Sequence, residues 1–317
     1  MTKTRVAVFG VGYMGKFHAE KFAASPAADL VAVVDANAAR ASEIAAALGC
    51  IHETDYKSLL SRVDAVCIAV PTEKHHEVVR ACLEAGVHVL VEKPIARTLA
   101  QADDLLALAK QKGLVLQVGH LQRFNPAFRA LAADAARPLF IDIERLAPFK
   151  ARGTDVDVIL DLMIHDLDLA LALARAPVEQ VSASGFRVLT DAIDIANARI
   201  EFADGAIASV SASRVSQSPV RKLRVFRHDG YVSADLQGQK LRYVRRSGAA
   251  GVEGIEAVER GFERTDELRA QAEDFLRAVR ERGAPLVSGE QGRRILALAL
   301  DVGRLVDERL ARHAELK

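Results

Sequence analysis

The chain has 317 residues, of which 50% are hydrophobic and 27% charged, and its net charge is +1. This balance is typical of globular proteins and gives no overall indication of binding to nucleic acid or to an anionic membrane. No uncharged apolar run approaches the length of a membrane span, and the three cysteines lack metal-type spacing, so we expect a cytoplasmic protein without a disulfide framework.

The first predicted element is a buried strand that leads into a glycine-rich loop. Val6–Phe9 form a short apolar run, and Gly10, Gly12 and Gly15 follow with G-x-G-x-x-G spacing before a helical pattern over Lys16–Ala24. In a dinucleotide-binding loop, the first glycine permits the tight turn, the second lets the backbone approach a pyrophosphate, and the third lets the helix pack closely. The free N–H groups of the helix start would then face the phosphates.

A second apolar run, Leu30–Val34, ends at Asp35. An acid about 20 residues after the glycines is the position from which a carboxylate accepts hydrogen bonds from both ribose hydroxyls. The same charge repels a 2′-phosphate, so the sequence favours NAD over NADP as the cofactor. The alternative is an ordinary strand–turn–helix unit with a surface aspartate.

Strands and helices continue to alternate up to about residue 121. A helix over Ala38–Leu48 and a short strand and helix within His52–Leu60 come first. The later predicted strands and helices are, in order, Ala65–Val70, Lys74–Ala85, Val87–Val91, Leu99–Lys112 and Leu114–Val118. This alternation predicts a parallel sheet, whose ligands bind beyond the carboxyl ends of the strands. The glycine loop, Asp35, Pro71-Thr72, Glu92–Pro94 and Gly119-His120 all fall at such ends.

The pattern changes past about residue 122. Helices are predicted at Asn125–Ala136, Ile159–Ala174, Glu267–Arg282 and Glu290–Ala311. Strands are predicted at Leu139–Leu146, Val181–Leu189, Ile195–Phe202, Ala206–Ser213, Lys222–Arg227, Tyr231–Leu236 and Lys240–Val244, and Gly248–Gly261 is predicted to be a mobile loop. Asp204-Gly205 between two of these strands is a strong hairpin signal, and consecutive strands joined by tight turns indicate an antiparallel sheet. We therefore predict an α/β Rossmann domain over residues 1–121, and over 122–317 an α+β domain for substrate binding and oligomerisation with a large, open, mostly antiparallel sheet.

Lys93 is the first candidate for chemistry, because it follows a buried strand beside the expected nicotinamide. A lysine there can take a proton from a substrate hydroxyl while hydride leaves the same carbon. Its ordinary pKa of about 10.4 is too high for a base near pH 7, so burial or a nearby cation must lower it. The alternative is a solvated pair of Lys93 with Glu92.

The second candidate is a group of three side chains on one predicted helix. Asp161, His165 and Asp168 are spaced to share a helix face. His165 can donate to a substrate oxygen or relay its proton, while a carboxylate fixes its tautomer. The alternatives are a surface helix with a hydrogen-bonded histidine and a metal site, but no second ligand pair is evident and we predict no metal.

Several cations and one threonine are weaker candidates. Thr72 could contact the cofactor or only cap its helix. Arg123, Lys150 and Arg152 could pair with a diphosphate, although each taken alone is also an ordinary surface cation.

Together these motifs resemble the Gfo/Idh/MocA family of NAD(P)-dependent sugar and cyclitol oxidoreductases. The motifs are the glycine loop, Val70-Pro71-Thr72 with His75, Glu92-Lys93-Pro94, and a helix with Asp161 and His165. The resemblance implies that Lys93 and His165 act on the substrate hydroxyl, with Asp161 in support. It also implies that the Lys93–Pro94 peptide bond is cis and that the protein is a homo-oligomer, a dimer or a tetramer.

Two stretches resemble a branch of that family that oxidises the C3 hydroxyl of UDP-N-acetylglucosamine, giving a ketone that a partner aminotransferase can aminate. They are Val118–Pro126 and Asp161–Asp168; the second has Asp-Leu-Met-Ile-His where many relatives have Asp-x-Gly-x-His. The alternatives are another sugar, sugar nucleotide or inositol as substrate, and a non-catalytic NAD-sensing protein.

The predicted binding residues fall into two sets. Cofactor contacts are predicted for Gly10, Gly12, Tyr13, Met14, Gly15, Asp35, Pro71, Thr72, His75, Glu92 and Lys93. Substrate contacts are predicted for Arg123, Asn125, Lys150, Arg152 and Asp168.

Overall fold

The computed structural model describes residues 2–134, 136–149, 156–246 and 254–315. The chain forms two compact units. One consists of Met1–Phe124 and Asp266–Leu296, and the other of Asn125–Thr265 and Ala297–Lys317. The predicted domains, 1–121 and 122–317, stay predictions; the units differ from them because a segment near the C-terminus packs with the first unit.

Strands and helices alternate through the first part of the chain. In order they are β1 (Thr4–Phe9), α1 (Tyr13–Ala24), β2 (Ala28–Val34), α2 (Ala38–Leu48), β3 (Ile51–Glu53), β4 (Ala65–Ile68), α3 (Thr72–Glu84), β5 (His88–Glu92), α4 (Leu99–Lys112) and β6 (Leu116–Gly119). The six strands pair in parallel in the order β3-β2-β1-β4-β5-β6. This order reverses between β1 and β4, which is the switch point where doubly wound sheets bind dinucleotides. The predicted Rossmann architecture is confirmed.

The strands of this sheet are apolar runs because both of their faces are covered. Val6, Ala7 and Val8 of β1 have no exposed surface, and neither have Val66 and Cys67 of β4. Burial of such side chains contributes about 25 cal/mol per Å² of apolar surface, so the central strands form a rigid base for the loops that follow them.

The remaining described elements combine helices with a second sheet. In order they are α5 (Pro126–Ala133), β7 (Phe140–Leu146), α6 (Ile164–Ala174), β8 (Val178–Phe186), β9 (Ile195–Phe202), β10 (Ile207–Ser213), β11 (Val220–Phe226), β12 (Gly230–Asp235), β13 (Lys240–Arg246), β14 (Ile255–Gly261), α7 (Glu267–Glu281) and α8 (Gly289–Glu315). The eight strands follow the order β14-β13-β12-β11-β7-β10-β9-β8. Only β7 and β10 pair in parallel. A large, mostly antiparallel sheet was predicted and is confirmed.

Helix α7 belongs to the first unit although it comes after the second sheet in sequence. The ring of Phe275 packs edge to face on Phe22 of α1, with 6.4 Å between the ring centroids. The Nζ atom of Lys21 lies 2.8 Å from a carboxylate oxygen of Asp266, which is the N-cap of α7. The apolar face of α7 thus completes the core beneath α1.

The predictions for one loop and one helix in the second unit are wrong in part. Within Gly248–Gly261, predicted to be a loop, residues 255–261 form the edge strand β14, because their main chain pairs with β13 even though every side chain is exposed; residues 248–253 lie outside the described residues. The helix predicted over Asn125–Ala136 is shorter, since Asn125 is its N-cap and Asp134 its C-cap.

Among the described helices, none has the length and apolar character needed to cross a bilayer.

Candidate active site

The glycine loop after β1 has the geometry that its three glycines predict. Gly10 adopts φ +80°, and a Cβ on Gly15 would lie 1.7 Å from the carbonyl oxygen of Gly10. A Cβ on Gly12 would meet nothing within 4 Å. Gly10 and Gly15 are therefore required by the turn and by helix packing, whereas Gly12 leaves open space over the backbone. This is the space that a pyrophosphate needs.

Helix α1 begins directly after Gly12, at Tyr13 and Met14, and its first turn contains no acidic residue. The main-chain N–H groups of a helix's first turn and the positive end of its dipole favour an anion. Tyr13 is 64% exposed and packs edge to face on Phe17. This helix start fits the phosphates of NAD.

Asp35 follows β2 and joins it to the glycine loop. Its Oδ2 accepts a hydrogen bond from the N–H of Val11 at 2.9 Å, and its Oδ1 accepts one from the N–H of Asn37 at 2.9 Å. Each carboxylate oxygen has a second lone pair, so both can still accept a ribose hydroxyl. The guanidinium of Arg40 lies 3.7 Å from Oδ2. The position fits the adenosine ribose of NAD.

Replacing Asp35 by alanine is expected to weaken NAD binding by about 10–100-fold, the loss of a hydrogen bond to a charged group. NADP binding should weaken less, because Arg40 loses its carboxylate partner and becomes available to a 2′-phosphate. Titration calorimetry with both cofactors measures the two effects. In the matched double variant Asp35→Ala/Arg40→Ala, the relative gain for NADP should disappear; an unchanged NAD preference in Asp35→Ala would contradict the assignment of the ribose contact.

The Glu92-Lys93-Pro94 turn stands at the carboxyl end of β5. The Lys93–Pro94 peptide bond is cis, so that prediction is confirmed. His75 of α3 is buried, with Nδ1 2.8 Å from the carbonyl oxygen of Pro94 and Nε2 3.0 Å from that of Val70. Burial lowers the pKa of His75. His75 therefore links the turn after β5 to the turn after β4, and the predicted cofactor contact finds no support in this buried geometry.

The neighbouring turn after β4 exposes Pro71. Thr72 is half-buried and is the first residue of α3, while Pro71 holds the N-cap position. The alternative interpretation of Thr72 as a capping residue is therefore wrong. Contact of Pro71 and Thr72 with the cofactor stays a prediction.

A buried pair between His18 and Glu92 was missed by sequence reasoning. The Nε2 atom of His18, on α1, lies 2.6 Å from Oε1 of Glu92, and the His18 side chain has no exposed surface. Burial opposes protonation of His18, but Cys67 and Glu92 more than offset it and raise its pKa to about 10. Burial also opposes ionisation of Glu92, but His18 and Lys93 lower its pKa. Both shifts favour the ionised forms, so the short contact is a charge-assisted hydrogen bond.

Two further residues complete the surroundings of Lys93 in the first unit. His120, which follows β6, is buried; burial and the charge of Lys93 lower its pKa to about 3. His120 is therefore a neutral imidazole at pH 7. Arg123, predicted to contact the substrate, is half-buried, and its N–H donates to the carbonyl oxygen of His120 at 3.2 Å. Lys93 itself is half-buried.

In the second unit, the helix predicted over Ile159–Ala174 differs in its first turn, which is a π-helix over Ile159–Met163 that leads into α6. Asp157 caps this turn, because its Oδ1 accepts from two main-chain N–H groups at 2.9 Å. The wider turn changes the α-helical spacing assumed for Asp161 and His165. Both side chains are half-buried, and Asp168 is buried with 1% exposure.

An ion pair fixes the helix that carries His165. Asp166 is buried, and its two carboxylate oxygens accept hydrogen bonds from Arg145 of β7 at 2.6 and 2.8 Å. Such bidentate pairs set both position and orientation. Sequence reasoning missed this pair, because residues 21 apart carry no local signal.

Three more residues are predicted to contact the substrate, namely Asn125, Lys150 and Arg152. Asn125 is fully buried and caps α5, accepting from the N–H groups of Ala127 and Phe128 at 3.0 and 3.2 Å. The predicted substrate contact of Asn125 finds no support in this geometry. Lys150 and Arg152 lie outside the described residues.

The described residues contain no cluster of three or more histidine, cysteine, aspartate or glutamate side chains able to hold a metal ion. The glycine loop, Asp35 and the turn at Lys93 instead define a dinucleotide-dependent oxidoreductase with a Rossmann fold. The glycine loop fits NAD by the open space at Gly12, the first turn of α1 by its main-chain N–H groups, and Asp35 by carboxylate oxygens that can accept ribose hydroxyls.

Comparison with known proteins agrees with this class. The Gfo/Idh/MocA family of oxidoreductases, with an NAD-binding Rossmann fold, matches residues 4–120, and the family's C-terminal domain matches residues 140–233. The chain is 42% identical to the UDP-N-acetylglucosamine 3-dehydrogenase of Acidithiobacillus ferrooxidans, over 98% of this chain and 100% of the relative. A solved structure of that enzyme superposes with a TM-score of 0.93 over 97% of this chain and 99% of the other, at 41% identity.

More distant relatives include an inositol 2-dehydrogenase of Rhizobium meliloti, 30% identical over 96% of this chain and 97% of the relative.

The chain belongs to the Gfo/Idh/MocA family of oxidoreductases. It is an NAD-dependent enzyme, as the sequence predicts.

Proposed function

We propose that the protein oxidises the C3 hydroxyl of UDP-N-acetylglucosamine to a ketone. The observation that carries this proposal is the 42% identity to an enzyme of that activity over the full length of the relative. Similarity that spans both the Rossmann part and the second sheet supports a shared substrate more strongly than a match to the cofactor-binding part alone.

Lys93 is the proposed base for the hydroxyl proton. It lies at the carboxyl end of β5, where the parallel sheet places its ligands, and it is half-buried. To act, its amine must come within hydrogen-bond reach of the hydroxyl, ~3 Å. NAD⁺, when bound, supplies the hydride acceptor. Lys93 must be a neutral amine, because only the neutral form can accept the hydroxyl proton as hydride leaves the same carbon.

His165 is the proposed partner of Lys93 on the same hydroxyl, with Asp161 in support. A half-buried imidazole can donate to the substrate oxygen or exchange a proton with it. The ion pair of Arg145 with Asp166 holds the adjoining residue of α6, so the backbone at His165 is fixed. Arg123 is the residue proposed to contact the diphosphate of the substrate. The substrate contacts of Lys150, Arg152 and Asp168 stay predictions.

The test is an assay with purified protein, NAD⁺ and UDP-N-acetylglucosamine, which follows NADH absorbance and the mass of the sugar product. Growth of absorbance with loss of two hydrogen atoms from the sugar is the expected result. The same mass loss without absorbance growth would indicate that tightly held NADH is reoxidised in place by a second substrate that accepts the hydride. Silence in both channels, with NAD binding verified, would contradict the substrate.

A second candidate is oxidation of an inositol, which the similarity to the inositol 2-dehydrogenase of Rhizobium meliloti supports. The same assay with myo-inositol discriminates the two. A higher kcat/KM for myo-inositol than for the sugar nucleotide would replace the first proposal by the second.

The proposed setting is a cytoplasmic homo-oligomer, a dimer or a tetramer, whose keto product passes to an aminotransferase. The sheet of the second unit is the proposed surface of association, and a 3-keto sugar is a substrate for amination. Light scattering during gel filtration measures the assembly.

A further inference from the structure

We propose that His18 is a positioning residue that holds Glu92 in a charge-balanced pair, so that the carboxylate does not keep the Lys93 amine protonated. The inference deepens the proposed function and rests on the role given there to Lys93. Neither the glycine loop nor the Glu-Lys-Pro turn requires a histidine at position 18 for the roles already described.

The contacts of Glu92 come from three elements. Its Oε1 lies 2.6 Å from the Nε2 atom of His18 on α1. Its Oε2 accepts a hydrogen bond from the N–H of Lys93 at 3.3 Å. A Cβ on Gly119 of β6 would come within 3.0 Å of the same oxygen, so glycine there leaves room for the carboxylate. Glu92 therefore has a defined position directly beside the proposed base.

Apart from Lys93 and the more distant Arg123, the charges that face this position balance one another. The imidazolium of His18 balances the carboxylate of Glu92, and burial lowers the pKa values of both His75 and His120 so that they are neutral. Cys67 faces the other side of His18. Beyond the pair, Arg123 supplies a positive charge that acts on His120.

Loss of the histidine charge would change this balance. Glu92 is hydrogen-bonded to the main chain of Lys93 and its side chain is 15% exposed, so it would stay ionised with Lys93 as its counter-ion. A carboxylate within about 4–6 Å favours the ammonium form of a lysine and raises its pKa by about 1–3 units. A lysine held as ammonium cannot take the hydroxyl proton at pH 7.

The experiment reads the pKa of Lys93 directly, without turnover. Cofactor-free protein is labelled briefly with acetic anhydride across a pH series, and mass spectrometry gives the acetylation of Lys93, which only the neutral amine undergoes. His18→Gln keeps a neutral hydrogen-bond donor of similar reach; His18→Asn is its substitute if thermal unfolding shows a misfolded protein. The expected rise in the pKa of Lys93 is about one pH unit, with about tenfold lower kcat/KM at pH 7 that recovers at higher pH.

The double variant His18→Gln/Glu92→Gln separates a charge effect from a purely structural one. Removing the carboxylate as well should return the pKa of Lys93 and the pH profile to the wild-type values, whereas a structural role predicts equal or greater damage. His88→Gln is the matched control. This histidine begins β5 at the end opposite Glu92, and its Nδ1 accepts from the N–H of Val115. Its loss should leave the pKa of Lys93 unchanged.

Three outcomes would overturn the inference: no rise in His18→Gln, a rise that persists in the double variant, or a rise that leaves the pH profile of kcat/KM unmoved. Failure of the proposed function is a separate result. If Lys93→Met retains turnover, Lys93 is not the base, whatever labelling reports about its charge.

Discussion

Lys93→Met is expected to lower turnover by about 10²–10⁴-fold, the usual contribution of a general base. Methionine has a similar length and no ionisable group, so the volume at the end of β5 is retained while the proton acceptor is lost. NAD binding should stay near the wild-type value, because the glycine loop and Asp35 hold the dinucleotide at other strand ends. Steady-state kinetics and calorimetric titration with NAD measure the two quantities.

Lys112→Met provides the matched control. Lys112 lies in the last turn of α4, and its ammonium donates to the carbonyl oxygen of Glu84 at 3.3 Å. This exchange should leave turnover unchanged. Near-normal turnover of Lys93→Met would remove Lys93 from the catalytic role; a large loss of NAD affinity would assign it to cofactor binding instead.

Gly15→Ala is expected to lower the free energy of unfolding by more than about 3 kcal/mol, at the upper end of overpacking effects. The added methyl would lie 1.7 Å from the carbonyl oxygen of Gly10, which is backbone and cannot move aside as a side chain could. Relief requires α1 to shift away from β1, and with it the N–H groups that fit the cofactor. Urea unfolding followed by circular dichroism measures the loss.

Gly12→Ala is the comparison that separates stability from binding. Its methyl would meet nothing within 4 Å in the protein, so the unfolding free energy should change by only about 1 kcal/mol, the difference between glycine and alanine at an N-cap. The methyl fills the space left for the pyrophosphate, so NAD affinity should fall by about tenfold or more. Equal stability of the two variants would contradict the packing argument, and full NAD affinity of Gly12→Ala would contradict the placement of the pyrophosphate.

Features that depend on residues close together in the chain are predictable from the sequence alone. The glycine spacing and the apolar runs predicted the parallel sheet, because a strand covered on both faces must be apolar throughout. Asp204-Gly205 predicted the hairpin between β9 and β10, since a turn requires a residue that tolerates φ +83°. The order of motifs was sufficient to indicate an NAD-dependent oxidoreductase of the Gfo/Idh/MocA family.

Features that depend on residues far apart in the chain are visible in the folded structure and not in the sequence. His18 and Glu92 are 74 positions apart in the chain. Nothing in the sequence distinguishes either residue from an ordinary polar residue beside a motif. The sequence predicts a loop where strand β14 forms. This edge strand is held by main-chain hydrogen bonds to β13 and all its side chains are exposed, so its sequence has no alternation of apolar and polar residues. Helix α7 belongs to the first unit because its apolar face packs on α1. A single sequence shows that a helix face is apolar, but it does not show which element covers that face.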